Sequence, residues 1–295
     1  MQKLTTYYGC RWYQNTALEA KATGEGYDYI IAGGGLAGCL LADRLSAEGK
    51  KVLVLEAGSP DYTSMLVRIP AGVLRLFRNT KFDWQHETSG EKACNGRNVF
   101  LQRGKVLGGS SCTNVCLHHR GSAQDYDDWG IPGWTASDVL PFFKASQKDM
   151  TDRSPEFHGK DGDWVMDDVK YQNPLSKRFL LVGEKAGLGT NDDFNNWSRP
   201  QDGVGRFQVS EVNGERCSGA KAFLGKAMKR KNCNVRTGAM VRRINFDGSK
   251  TATGVTYDLM GDDTCTVSLF SVLSLIEKLR CSIHHEASHY CLVSI

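Results

Sequence analysis

No stretch of this sequence approaches the roughly 20 consecutive apolar residues that a membrane-spanning helix needs. The run from Val267 to Ile276 is the longest candidate near the C-terminal end, and serines break it, so no transmembrane span is expected. Cys-x-x-Cys pairs are also missing. The ten cysteines fall at irregular spacings, which reads as reduced thiols of an intracellular compartment and not as a disulfide framework. Positive charge is not gathered: 37 basic residues stand against 33 acidic ones, a net charge of +4. Its one short cluster, Lys226 to Lys231, reads as the solvated end of a helix, so no nucleic-acid-binding face is expected. The first 26 residues form a polar leader without the apolar stretch of a secretory signal, and Glu19 and Glu25 make it a poor transit peptide. No internal repeat and no low-complexity linker divides the chain, so any second domain must be interleaved with the first.

What is present is the composition of a packed protein, with 40% apolar and 24% charged residues over 295 positions. Tyr27 to Ala32 is a β-branched and aromatic run that ends in Gly33-Gly34-Gly35, a buried strand entering a tight turn. From Leu36 to Glu48 the residues Leu36, Cys39, Leu40, Ala42 and Leu45 fall mostly on one helical face, and Gly49 is placed to end the helix. Lys51 to Glu56 is a second apolar strand of the kind buried on both faces of a parallel sheet. Together these segments make one βαβ unit. Further expectations are a strand over Arg97–Arg103, a helix from Thr135 to Lys148 capped by Thr135 or Ser137, a helix from Leu175 to Ala186, and late strands over Val235–Ile244 and Gly254–Tyr257. From about Asp262 the strand and turn pattern stops, and Thr264 to Ile295 is rich in Ser, Cys and His.

Gly33-x-Gly35-x-x-Gly38 follows a strand and opens a helix, the context that gives this spacing meaning. Gly33 permits the tight turn, Gly35 lets a pyrophosphate approach the backbone, and Gly38 lets helix and strand pack closely. The helix N-terminus, through Leu36 and Ala37, offers unpaired N–H groups to phosphate oxygens. Glu56 ends the second strand about 20 residues further on, where a carboxylate accepts from ribose hydroxyls. Glu56 argues against NADP, whose 2′-phosphate would meet a like charge, but the motif alone does not separate NAD from FAD.

The stretch Arg103-Gly-Lys-Val-Leu-Gly-Gly-Ser-Ser-Cys-Thr-Asn114, followed by His119-Arg-Gly121 and Asp125-Tyr-Asp-Asp-Trp-Gly130, resembles the first signature of the glucose-methanol-choline (GMC) oxidoreductases. Phe157-His-Gly159, Asp193-Phe-Asn195 and Asn234-Val-Arg-Thr-Gly-Ala-Met-Val241 extend the likeness over roughly Tyr27 to Tyr257. The resemblance implies an α/β fold: a Rossmann-like FAD-binding domain of the GMC type, with interleaved substrate-domain segments and truncated on its C-terminal side. It also implies FAD as cofactor. The pyrophosphate turn would be Gly33, Gly35, Leu36, Ala37 and Gly38, with Glu56 at the ribose. Val106, Gly109, Ser110, Asn114, Val115, Cys116 and Leu117 would lie along the flavin, and Val241 would meet the adenine through its backbone. Ser110 and Asn114 are small polar groups able to pair with ring atoms. Val106, Leu117 and Val241 have a purely packing role as their alternative, as Cys116 has in a crowded turn. Within the family, Ile69-Pro70-Ala71 and Asp193-Phe-Asn-Asn-Trp-Ser198 look most like the light-driven fatty acid decarboxylases of algae. A plastid location follows only from that likeness. His118 departs from the aromatic residue usual at its place.

The implied activity is either decarboxylation of a fatty acid in light or oxidation of an alcohol, and the implied partners are FAD and one of those small molecules. The family's second signature and its late catalytic residues have no match here, so no catalytic residue is assigned. The expected organisation is a polar leader over 1–26, an incomplete FAD-binding region over 27–260 and a tail foreign to the family over 261–295. The alternative is an inactive FAD-binding remnant or a truncated gene model. Cys281, His284, His285, His289 and Cys291 match no metal-site spacing, and no metal is expected.

Overall fold

The computed structural model of the protein describes residues 26–60, 64–259 and 264–268. The chain divides into two compact units: one is built from Met1–Thr113 with Ser218–Ile295, and the other is Asn114–Cys217, inserted between them in sequence. This is the interleaving that the absence of a linker implied. The leader through residue 25 and the His- and Cys-bearing stretch after residue 268 lie outside the described residues.

The first unit opens with β1 (Tyr29–Ala32), α1 (Leu36–Ala47) and β2 (Val52–Glu56). β1 and β2 run parallel, Tyr29 opposite Val52 and Ala32 opposite Leu55. Every residue of β2 is buried, as a continuous Val-Leu-Val-Leu run requires, each such side chain contributing about 1.5–3 kcal/mol by leaving water. The buried face of α1 carries Cys39, Ala42, Asp43 and Ser46. Two of these are polar because Arg230 meets them, its Nη1 lying 2.8 Å from Asp43 Oδ1 and 2.9 Å from Ser46 Oγ. The cluster Lys226–Lys231 is thus only partly the solvated end foreseen: its lysines are exposed while Arg230 pairs with α1.

Two single-turn helices follow, α2 (Met65–Arg68) and α3 (Val73–Leu76), then a short antiparallel pair, β3 (His86–Glu87) and β4 (Phe100–Leu101). The strand expected over Arg97–Arg103 shrinks to those two residues. Its flanking N–H groups are used locally: Arg97 donates to the Cys94 carbonyl and Gly104 to Ser110 Oγ.

The second unit contains β5 (Leu117–His118), α4 (Ala123–Asp127), α5 (Ala136–Ser146), β6 (Gln147–Asp149), β7 (Trp164–Met166), α6 (Pro174–Lys185), β8 (Gln208–Val209), β9 (Glu211–Val212) and β10 (Glu215–Arg216). Thr135 caps α5 in a capping box with Asp138, as its sequence position predicts. β5 pairs antiparallel with β8, β6 parallel with β7, and β9 with β10. The core of this unit is unusually polar, with Arg120, Gln147, Asp149, His158 and Asp193 all buried. Four of these groups form a chain, in which Arg120 donates to Gln147 Oε1, Gln147 Nε2 meets His158 Nδ1 at 3.0 Å, and His158 Nε2 meets Asp193 Oδ2 at 2.8 Å, while Asp149 accepts from Gln208 Nε2 at 2.8 Å.

Returning to the first unit, a π-helical turn over Ala220–Leu224 leads into α7 (Gly225–Ala227), β11 (Cys233–Thr237), β12 (Ala239–Phe246), β13 (Ala252–Leu259) and β14 (Thr264–Ser268). β11 joins β2 in parallel, giving the order β1-β2-β11, while β12, β13 and β14 form an antiparallel sheet. The single strand expected over Val235–Ile244 is therefore two strands in two sheets. Gly238 turns the chain between them at φ +67° and donates its N–H to the Gly58 carbonyl. Strand pairing also continues past the expected boundary at 260, because Thr264–Ser268 lies along Asp258–Gly254 of β13. Tyr27, Leu53, Leu55, Ala239, Val255, Tyr257 and Cys265 form one buried cluster of this unit.

Candidate cofactor site

In the first unit the turn between β1 and α1 has the geometry its glycines predict. Gly33 has φ +99°, and a Cβ on Gly38 would lie 2.1 Å from the Gly33 carbonyl oxygen. Gly35 is the N-cap of α1 and carries no capping side chain. The first acceptor bond of the helix is made by Cys39 N–H to Gly35. The N–H groups of Leu36, Ala37 and Gly38 therefore have no acceptor among the described residues, and Leu36 and Ala37 are exposed. Three unpaired donors at the positive end of a 12-residue helix fit a pyrophosphate.

Glu56 is buried at the end of β2. Its Oε2 accepts from Gly34 N–H at 2.8 Å and its Oε1 from Gly58 N–H at 2.7 Å. Burial pushes this carboxyl above the usual carboxylate range, and the two N–H donors and Lys105 oppose the rise. Each oxygen keeps a lone pair for a ribose hydroxyl.

A second glycine loop closes on the first. Gly108 N–H donates to the Gly34 carbonyl at 2.7 Å, and a Cβ on Gly109 would stand 2.8 Å from Gly35 Cα. Gly108 and Gly109 have φ of +98° and +58°. Ser111, quoted within the motif but given no role by it, ties this loop down: its Oγ donates to the Gly108 carbonyl and accepts from Gly219 N–H at 2.9 Å. Ser110 is exposed, and its Oγ accepts from Gly104 N–H at 3.1 Å. Val106 is fully buried against Val67, Leu76, Phe82 and Cys112, so only its main chain is available to a ligand. Val241 packs on the cluster around Tyr257, next to a register shift in β12 between Val241 and Arg243.

The remaining expected residues belong to the second unit. Asn114 is exposed, and its Oδ1 accepts from Cys116 N–H at 3.1 Å and from Arg216 Nη1 at 2.6 Å. Its side-chain nitrogen is left to donate outward. Val115 and Leu117 are exposed, whereas Cys116 is buried at φ +61°. Burial pushes the Cys116 thiol up despite the nearby Arg216 guanidinium, so the sulfur is a neutral thiol. Arg216 had no signal in the sequence, because its role depends on a contact 102 residues away. His118 sits beside these residues with Nε2 buried and without a partner among the described residues. Burial, with Arg120 next in importance, lowers its pKa to about 3. No group of three or more metal-ligating side chains occurs among the described residues.

Two glycine loops in contact at a helix N-terminus, with a carboxylate at the end of the next strand, decide the family together with one observation. The sequence profile of the GMC oxidoreductases matches residues 27–274. The chain belongs to the GMC oxidoreductase family. The match runs beyond the boundary expected at 260 and takes in β14. Similar proteins include a chloroplastic fatty acid photodecarboxylase of Chlamydomonas reinhardtii, 42% identical over 84% of this chain and 41% of that protein. They also include an alcohol dehydrogenase [acceptor] of Pseudomonas putida, 40% identical over 78% of this chain and 42% of that protein. Among solved structures, an FAD-dependent oxidoreductase from Chaetomium thermophilum superposes with a TM-score of 0.71 at 27% identity, over 83% of this chain and 44% of that one. The chain thus spans about two fifths of the length of these curated relatives. The fold is α/β, and FAD is the cofactor of this GMC N-terminal domain.

Proposed function

We propose that this chain holds FAD non-covalently, as the flavin-carrying part of an enzyme that either decarboxylates a fatty acid in light or oxidises an alcohol. The observation that carries the binding is the set of three acceptor-less N–H groups at Leu36, Ala37 and Gly38, with the Gly108-Gly109 loop closed over the same turn. In this reading Gly33, Gly35, Leu36, Ala37 and Gly38 take the pyrophosphate and Glu56 the ribose. Val241 offers its backbone to the adenine. Gly109, Ser110 and the main chain of Val106 line the flavin, as do Asn114, Val115, Cys116 and Leu117. Asn114, whose carbonyl oxygen is occupied internally, serves as a donor to an acceptor atom of the ring. When bound, FAD supplies the electron acceptor for either chemistry. The 42% identity to a fatty acid photodecarboxylase supports the first chemistry, and the 40% identity to an alcohol dehydrogenase the second.

A second reading is favoured by one fact, that the chain spans only about two fifths of those relatives. On that reading the chain binds FAD and turns nothing over. The two readings separate in one experiment on the chain reconstituted with FAD. Hydrocarbon and carbon dioxide from hexadecanoate under blue light support the decarboxylase, and aldehyde from a primary alcohol in the dark with an artificial acceptor supports the alcohol oxidation. Bound flavin with neither product establishes the inactive reading.

A further inference from the structure

Within the second unit, Asn213-Gly214 joins β9 to β10 with φ of +52° and +76°. Positive φ at both central residues is what a type I′ hairpin turn needs, and Asn-Gly supplies it without strain. The turn fixes the register, so that Arg216 stands opposite Glu211 and the two side chains share one face. The base of the hairpin is tied down. Cys217 N–H donates to the Ser210 carbonyl at 2.9 Å, Ser210 N–H to the Cys116 carbonyl at 2.8 Å, and Ser210 Oγ to the Cys217 carbonyl at 3.1 Å. These bonds bring Arg216, only 3% exposed, against the loop that holds Asn114 and Cys116.

The contact locks the Asn114 amide in one of its two orientations. A guanidinium has donors only, and a main-chain N–H is likewise only a donor. Arg216 Nη1 at 2.6 Å and Cys116 N at 3.1 Å both point at the same atom, Asn114 Oδ1. Turning the amide over would set its NH2 group against two donors, one of them charged and buried, which is costly. The oxygen is therefore held inward and the nitrogen outward by Arg216, since the exposed Asn114 side chain has no such preference of its own. A bond accepted from a charged donor also polarises the amide and strengthens what its N–H groups can give.

We propose that Arg216 is a positioning residue that sets the reduction potential of the bound flavin through Asn114, by holding that amide with its donor toward the ring. The inference deepens the flavoenzyme reading and rests on it for the place of Asn114 beside the flavin. Two-electron reduction brings two electrons and one proton onto the ring and leaves it anionic, so a fixed donor stabilises the reduced form more than the oxidised one. Arg216 thus raises the potential, and its loss lowers it.

The test is a double-mutant cycle read in the midpoint potential of the FAD-reconstituted chain, titrated with dithionite against a reference dye. Flavin occupancy is taken from visible absorption after gel filtration, and folding from circular dichroism. Arg216→Met should shift the equilibrium about 10-fold toward oxidised flavin, the gap between a hydrogen bond to a neutral acceptor and one to a charged acceptor. For a two-electron couple that is a drop of about 30 mV. Arg216→Lys, which keeps a charged donor, should hold most of the parent potential. Asn114→Ala should lower the potential by a similar factor, and Arg216→Met in that background should lower it no further, because both changes remove one and the same bond. An unchanged potential in Arg216→Met at full flavin occupancy would overturn the proposal. So would an equal shift with and without Asn114, which would mean that the guanidinium acts on the ring through space. A drop in Arg216→Lys as large as in Arg216→Met would also overturn it, by marking a loss of packing. A folded parent chain that holds no flavin would remove the flavoenzyme reading and this inference with it, whereas bound flavin with a potential indifferent to Arg216 would remove the inference alone.

Discussion

At the scale of single residues, the site depends on atoms that are not there. Gly38 sits where a methyl group would be 2.1 Å from the Gly33 carbonyl oxygen and 3.2 Å from Ile31 Cγ2. Gly38→Ala should therefore push α1 off β1, costing about 1–3 kcal/mol of stability by overpacking. Urea unfolding followed by circular dichroism measures that loss, and the variant should retain less flavin than the parent after gel filtration. A midpoint unchanged from the parent would show that the helix has room to move. His118 gives a pH-dependent prediction. Its ordinary value is 6.5 and burial holds it at about 3 in the folded chain. Between those values the unfolded chain takes up a proton that the folded chain does not, so stability falls as pH is lowered through that window. His118→Phe removes the titrating ring and its unpartnered Nε2, and should lose less stability between pH 7 and pH 4 than the parent. Melting temperatures of the two proteins across that range decide it, and parallel curves would rule out the burial argument. Asn114 shows how far a residue's identity informs its role. The family resemblance leads one to expect it as a polar group along the flavin, but only the contact with Arg216 shows that the carbonyl side is occupied.

At the scale of elements, what was legible is local and what was missed is long-range. The β1-α1-β2 unit announces itself through a continuous apolar strand, a helical period and three glycines, all within 30 consecutive residues. The helix after Thr135 is equally readable from its cap, and the helix expected from Leu175 to Ala186 is present as Pro174–Lys185, capped by Asn173. The division of Val235–Ile244 into β11 and β12 was not readable. Residues 233–246 have strand character throughout, and the reason to break them is the antiparallel sheet that β12 makes with β13. β14 was missed for a related cause. Its Ser, Thr and Cys residues carry a weak strand signal, and only the neighbouring β13 gives them a ladder to complete. The orientation of α6 was equally hidden, since its amphipathic pattern predicts a helix but not that the apolar face points outward. Because Gly183 is the point where this helix rests on Val204, Gly183→Leu should loosen it. Limited proteolysis should then cut between Asn173 and Gly205 faster than in the parent, and an unchanged cleavage pattern would show that the helix is held elsewhere.

At the scale of the whole molecule, the order of the two units along the chain explains why the fold reads as one domain in sequence. The second unit leaves the first after Thr113, directly past the glycine and serine loop, and rejoins it at Ser218. No flexible linker is needed, because Ser111 on one side of the insertion and Gly219 on the other are hydrogen-bonded. The C-terminal edge of the first unit is a further point of dependence, since β14 covers one side of β13. A chain ending at Leu259 should melt several degrees below one ending at Ser268 and associate more readily, as an uncovered strand edge pairs with other chains. Size-exclusion chromatography and thermal unfolding of the two chains test this, and identical behaviour would show that β14 contributes nothing to the sheet. No helix among the described residues is long and apolar enough to cross a membrane.

The most direct test of the central claim is the visible absorption spectrum of the purified chain after incubation with FAD and gel filtration. The donors of Leu36, Ala37 and Gly38 and the carboxylate of Glu56 predict flavin bands that elute with the protein at close to one FAD per chain, and that are lost in Gly109→Val. A folded chain that elutes colourless at micromolar FAD would contradict the account.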